Sequence, residues 1–290
     1  MEMRRNLAVI IVGLLAIVAI VAMVGCSKSG DQTTGSNSTG TVNSESGGKL
    51  PLSGRHLVIG VNAECAPYES IDKNGAFVGF DIDFAAELSK KLGFTHEWKD
   101  MEFFGLIGAV QEKRIDMAIS ALSGTEERKE RVDFSRGYNY SIMCIISKPG
   151  SGIKTVADLA GKKVGAATGS NFEALITSVP TAKLISYDVT VPAVSLIGTP
   201  ELDALVELTT FAEIYAAPLG LEAHVIPKSV AEELAGERPL SIAFPKGSEL
   251  VPLFDKAILE LEEEGIMDAL AAKWFGQDYV DKLPLFNAKM

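Results

Sequence analysis

Three histidines and three cysteines in 290 residues leave little material for metal chemistry or disulfide stapling. No CxxC and no HxxxH pair occurs, which argues against a zinc module. There is no GxSxG elbow, no Walker sequence and no GxGxxG fingerprint. His56, His96 and His224 lie far apart, with no carboxylate at catalytic spacing, so nothing assembles a nucleophile, a base and an orienting group. Positive charge is also short: 27 Lys and Arg stand against 38 Asp and Glu, a formal net charge of −11. That balance disfavours nonspecific nucleic-acid binding, which needs cations to neutralise phosphates. Collagen, coiled coil and a disulfide scaffold are excluded by composition, and no internal repeat is visible.

What is present begins with an address. Arg4 and Arg5 precede an uninterrupted apolar run, residues 7–24, ending in Met23-Val24-Gly25-Cys26. A basic start, an apolar stretch and small residues before a cleavage point make an export signal. At about 18 residues the run is long for such a signal and just long enough to span a bilayer. Its end resembles the lipobox of bacterial lipoproteins, with Met23 where Leu is usual and Cys26 as the residue to be diacylated. The alternative is an uncleaved transmembrane helix that precedes a cysteine. Either way residues 27–290 are expected outside the cytoplasmic membrane and tethered to it. Cleavage before Cys26 removes two Arg and one Glu, leaving −12 from −11.

From Ser27 to Gly48, 17 of 22 residues are Ser, Gly, Thr or Asn, and Val42 is the only aliphatic one. Such a segment buries too little apolar area to offset its ordering entropy. As a coil it reaches roughly 26 Å on an r.m.s. basis.

From Arg55 the pattern alternates strand and helix. HLVIGVN reads as a buried strand, and Asn74-Gly75 as a two-residue hairpin turn. Asp81 reads as the N-cap of IDFAAELSKKL, with Gly93 as its stop. HEWKDM, FGLIGAVQEKR and IDMAISA follow as strand, helix and strand. A second block repeats the alternation: SIMCIIS, a short helix at KTVADLAG capped by Thr155, KKVGAA, a helix from about Phe172, then KLISYD, LDALVE, AHVIP and PLSIAFP. Two helices close the chain, about residues 249–263 and 266–275. Two α/β blocks imply an α/β fold with two lobes and a cleft between them, a favoured place for a ligand.

Some residues suit chemistry at such a cleft. Ser123 with Glu126 fits a capping box, and Arg128 suits a bidentate carboxylate partner. This reads either as an anion site or as a capped surface helix with Arg128 pairing Glu127 or Glu130. Thr168-Gly169-Ser170-Asn171 joins a strand to a helix and presents amides to an anion, with Ser170 and Glu173 as a second capping box. Phe103, Phe104 and Tyr68 either stack on a ligand or belong to the core. Glu207 ends a strand, facing either the cleft or solvent. The residues favour binding over catalysis.

Taken in order, NGAFVGFDIDFAAELSKKLG, FFGLIGAVQEKRIDMAISALSGTEERKERVDFSRGY, VADLAGKKVGAATGS, SIAFPKGSEL and the terminal KWFG resemble the polar amino-acid family of bacterial extracytoplasmic solute-binding proteins, family 3. The resemblance spans about residues 57–276. It implies the two-lobed periplasmic-binding-protein-like fold, type II, with two hinge strands. The expected layout is a signal over 1–25, the lipidated Cys26 and linker to 54, and lobe 1 over 55–137. A hinge follows at 138–142, lobe 2 over 143–236, a second hinge at 237–240, and lobe 1 resumes over 241–290. By resemblance Arg128 grips an α-carboxylate, helped by Ser123, backbone groups of Ala121, and amides of Ser170 and Asn171. Phe103 packs against the ligand side chain.

Two positions depart from the family pattern. Its second aromatic falls on Cys65, leaving a small, soft wall. Its ammonium-binding acid falls on Leu208, one residue after Glu207, and a one-residue slip turns a strand side chain to the other face. Either a bulge aims Glu207 inward or the anchor is missing. Asn62 and Glu64 are candidates for compensating polarity. The expected ligand is a small polar amino acid or related carboxylate rather than a large aromatic one. The implied protein is a monomeric, membrane-anchored receptor that delivers its ligand to an ABC permease, with no cofactor and no metal. The alternatives are a cyclohexadienyl-dehydratase-like enzyme on the same scaffold, with Glu207 or Glu64 as acid, and a surface lipoprotein with a degenerate pocket. Cys65 and Cys144 fall in different lobes by this layout and are expected as free thiols.

Overall fold

The computed structural model describes residues 49–277 and 279. The export signal, Cys26 and the polar tract 27–48 lie outside the described residues. Among the described residues no helix is long and apolar enough to cross a membrane.

The chain first builds β1 (His56–Val61), β2 (Glu64–Cys65), β3 (Glu69–Ile71), β4 (Phe77–Val78), α1 (Phe80–Leu92), β5 (Thr95–Asp100), α2 (Leu106–Gln111), β6 (Met117–Ala118), α3 (Glu126–Arg131) and β7 (Val132–Asn139). It then crosses to β8 (Met143–Ser147), β9 (Lys163–Ala167), α4 (Asn171–Ser178), β10 (Lys183–Tyr187), β11 (Ala204–Leu208), α5 (Thr209–Phe211), β12 (Glu222–Val225) and α6 (Lys228–Leu234). It returns through β13 (Leu240–Pro245) to α7 (Leu250–Glu263) and α8 (Ile266–Phe275).

Two five-stranded sheets result, ordered β5-β1-β6-β13-β7 and β10-β9-β11-β8-β12. In each, three neighbouring strands run parallel and the other two join antiparallel. The central strands β1, β8, β11 and β13 are the apolar, buried runs, whereas the edge strand β5 is polar and largely exposed. The chain passes between sheets twice, at residues 140–142 and 235–239, which makes the fold two-lobed.

The last two helices pack on the first lobe. Asp83 of α1 accepts from Lys273 Nζ at 2.5 Å and Trp274 Nε1 at 2.7 Å, and Lys91 pairs with Glu260 of α7 and with Glu264 at its C-cap. β7 has no counterpart in the sequence pattern. Its buried positions include Ser135, Gly137 and Asn139, which erase the apolar signal.

Two local expectations are corrected, and of the two alternatives for Tyr68 the core one holds. The Asn74-Gly75 turn is not a two-residue hairpin: Asp72 N–H bonds Ala76 O at 2.8 Å, and Gly75 takes a left-handed φ of 82° inside a longer loop. Asp81 does not cap α1. The amides of Phe80 and Asp81 are taken by the carbonyls of Pro67 and Tyr68, so no cap is needed and the Asp81 side chain turns inward. Tyr68 is a core residue, 1% exposed and packed on Phe80 and Phe275.

Candidate functional site

The carboxyl ends of β1, β6, β9, β10 and β11 converge on one cleft of about 710 Å³, a volume that includes its open mouth. Loops at strand carboxyl ends are free of ladder hydrogen bonds, so they present backbone and side chains to a ligand. Every binding residue expected from sequence lines this cleft: Asn62, Cys65, Phe103, Ala121, Ser123, Arg128, Ser170, Asn171 and Glu207.

Arg128 sits in the first turn of α3, whose N-cap is Thr125: the Thr125 hydroxyl accepts the Arg128 amide at 3.3 Å. Arg128 is 9% exposed, and its guanidinium carbon lies 5.3 Å from the Phe103 ring centroid. Nη1 donates to Ser123 O at 2.8 Å and Nη2 to Gly169 O of the second lobe at 3.0 Å. A guanidinium has five N–H donors, so three remain for a carboxylate. Burial lowers its pKa to about 10, opposed by Glu237 and Glu127, and it stays charged at neutral pH. The surface-helix alternative for Arg128 is therefore wrong.

Ser123 is not a cap. Its hydroxyl donates to Glu237 Oε1 at 2.7 Å and to Arg238 O at 3.1 Å, because the helix starts three residues later at Glu126, with Thr125 as its cap. Glu237, 1% exposed, also accepts Ser141 Oγ at 2.9 Å and the Asn171 side-chain amide. One carboxylate thus ties the first lobe, both crossings and the second lobe. Burial raises its pKa, against the lowering effect of Ser123, Asn171, Ser141 and Arg128.

Ala121 adopts a left-handed φ of 42°, uncommon for a residue with a side chain. Its amide donates to Asp81 Oδ2 at 2.7 Å, and Tyr138 Oη donates to the same oxygen at 3.0 Å. Asn62 is fixed by its amide on Ser120 Oγ at 3.0 Å and its side chain on Met101 O at 3.2 Å. Cys65 and Cys144 are both free thiols.

On the second lobe Ser170 is the N-cap of α4, but the expected box with Glu173 is absent. Ser170 Oγ and its amide both donate to Ala167 O, at 2.6 and 3.1 Å, while Glu173 accepts the Gly169 amide at 3.0 Å. The Ser170 amide is therefore engaged, and of the expected pair only the Asn171 backbone opens the helix. Gly169 has φ 73°, and a Cβ there would sit 2.8 Å from Phe104 Cβ, so only glycine lets the lobes approach here.

Glu207 lines the cleft without a bulge: β11 pairs with β8 in unbroken register from Ala204 to Leu208. The two-face rule holds inside a ladder, but these are its last positions, and Thr209 already starts α5. Both Glu207 and Leu208 border the cavity. Thr190 Oγ1 donates to Glu207 Oε1 at 2.8 Å and the Leu208 amide to Oε2 at 3.1 Å. Burial nonetheless pushes its pKa up to about 7.

Sequence reasoning missed Glu69, Asp81, Asp188, Thr190 and Glu237. Asp188 and Thr190 follow β10, so the strand-end rule applied to β9 would have found them. Glu69 gives no such signal, since Ile71 on the same face of β3 is half exposed while Glu69 is buried.

A family model for bacterial extracellular solute-binding proteins, family 3, matches residues 57–277. The arginine-binding extracellular protein ArtP of Bacillus subtilis is 37% identical over 245 residues, covering 83% of this chain and 91% of ArtP. A solved ancestral arginine-binding protein bound to arginine superposes with a TM-score of 0.69 at 36% identity, over 76% of this chain and 98% of its own. The ancestral amino acid-binding protein AncCDT-1, a precursor of cyclohexadienyl dehydratase, gives 0.67 at 30%, over 76% and 95%. The curated relatives are binding proteins rather than enzymes. The chain belongs to the bacterial extracellular solute-binding proteins, family 3, and has their two-lobed type II fold.

Proposed function

We propose that the chain is the receptor of an amino-acid ABC importer, a monomer held outside the cytoplasmic membrane by a diacylated Cys26 and the polar tract 27–48. Hinges at 138–142 and 237–240 bring the lobes together around the ligand. The observation that carries this reading is Arg128. Its guanidinium is buried beside an open cleft, reaches carbonyls of both lobes, and keeps donors free for a carboxylate. Glu207 on the opposite lobe is a buried carboxyl without a cationic partner among the described residues, suited to the α-ammonium. The names of the relatives, arginine- and cystine-binding among them, fit a ligand bearing both groups.

The test is thermal unfolding of the full chain in detergent, stripped of ligand by unfolding and refolding, against a panel of amino acids and keto acids. Ligand at 100 times its dissociation constant stabilises by about 2.7 kcal/mol. An amino acid that does so, with the effect lost in Arg128→Ala, supports the receptor. Stabilisation by amine-free acids alone contradicts the role of Glu207, and none from any compound contradicts the whole reading.

A further inference from the structure

The same two segments are clasped together twice between the lobes. Arg128 makes one clasp: Nη1 donates to Ser123 O at 2.8 Å and Nη2 to Gly169 O at 3.0 Å. Glu237 makes the other. Its Oε1 accepts Ser123 Oγ at 2.7 Å and Ser141 Oγ at 2.9 Å, while its Oε2 accepts the Asn171 side-chain amide. One carboxylate oxygen therefore serves the first lobe and its crossing, and the other serves the second lobe. The two clasps differ in what they leave over. Arg128 borders the cleft and keeps donors for a carboxylate, whereas Glu237 is buried and does not border it.

Opening the lobes draws residues 169–171 away from Ser123. A single carboxylate cannot follow both, so opening breaks the Glu237 clasp on one side. The polar groups it releases were buried and must be met by water instead. A contact made only in the closed state favours that state by its own differential free energy, whichever ligand is bound. Hydrogen bonds to an ionised acceptor are the stronger kind, so the contribution is not small.

We propose that Glu237 sets how long a captured ligand stays: it is a positioning residue that latches the closed lobes through Ser123 and Asn171 and never touches the ligand. Capture takes place on the open cleft, at Arg128, before the latch forms. The latch therefore slows escape and leaves the rate of capture nearly unchanged. The inference rests on the receptor reading above and adds to it the group that governs residence time.

The common L-amino acids and L-cystine are screened by thermal unfolding of the full chain in detergent, and the one that stabilises most is used in isotope-labelled form. Its association and release are timed for the wild-type chain, Glu237→Ala, Asn171→Ala and the double variant. Asn171→Ala keeps the backbone amide that opens α4 and removes only the side chain. The expected result is release about 10-fold faster or more in each single variant, with association within a few-fold of wild type. The double variant should release little faster than Glu237→Ala alone, because both substitutions remove the same tie. Losses that multiply in the double variant, or a loss carried by association rather than release, overturn the proposal. Where Glu237→Ala does not fold, the release rate of Asn171→Ala decides by itself. An amino acid bound and released at rates that neither substitution changes overturns this inference and leaves the receptor standing. No binding of any amino acid overturns both.

Discussion

The two walls of the cleft are built to different rules. On the first-lobe wall the working groups are held by bonds within that wall: Ser120 on Glu69, and the Ala121 amide and Tyr138 on Asp81. On the second-lobe wall the loop before α4 satisfies itself through Ala167 O and Glu173. What that loop offers across the gap is the Gly169 carbonyl to Arg128 and the Asn171 side chain to Glu237. Those bonds exist only when the lobes are together. The first wall is thus preorganised to hold charge, and the second is recruited by closure, the division a hinged receptor needs.

The comparison breaks most severely at Arg128, which belongs to the first wall and reaches the second. Arg128→Ala leaves Glu237 as a buried charge without its cation and two carbonyls without a donor. The expected cost is about 3–5 kcal/mol in the melting transition, together with loss of ligand stabilisation. A variant that still responds to ligand separates Arg128 from the site.

The next effect lies on the second wall and appears as pH dependence. Glu207 titrates near 7 in the folded chain, against 4.5 for an unperturbed Glu. Between those values the unfolded chain is ionised while the folded chain holds the proton. Its contribution is therefore full below pH 4.5 and is lost as pH rises through 7, a fall of about 3 kcal/mol at 1.36 kcal/mol per unit. Unfolding in urea across this range, compared with Glu207→Gln, should show the variant without that part of the fall. Parallel profiles would mean that Glu207 is ionised throughout.

Much of this was legible before the fold. Strand ends at Asn62, Ser170 and Glu207 place residues in the cleft because apolar runs locate the strands and ligands gather at their carboxyl ends. Arg128 was legible only as an ambiguity, since Glu127 and Glu130 beside it offer an equally good surface pairing. Asp81 and Ser123 were misread for one reason: each sits at helix-capping distance, but a carbonyl or a neighbouring hydroxyl already serves the amides. Glu69 and Glu237 were hidden, because their roles arise from Ser120, Asp81, Ser141 and Asn171, brought near only by tertiary packing.

Smaller effects sharpen the contrast. Gly169→Ala adds about 1–2 kcal/mol of left-handed strain and pushes a methyl into Phe104. Because the clash lies between lobes, ligand affinity should fall more than ligand-free stability, as read by titration and melting of the same sample. An equal loss in both would place the strain within one lobe. Thr125→Ala removes the α3 cap at a cost of about 1 kcal/mol in melting, with a proportionate loss of affinity as Arg128 loosens. No change would mean that Arg128 is held by its guanidinium bonds alone.

The most direct measurement is a calorimetric titration of the amino acid that stabilises the chain best, alongside its α-amide. With Arg128 as the carboxylate anchor, the amide should bind at least about 100-fold more weakly, near 2.8 kcal/mol. An amide that binds within a few-fold of its parent acid would contradict the account, because the buried guanidinium would then have no part in holding the ligand.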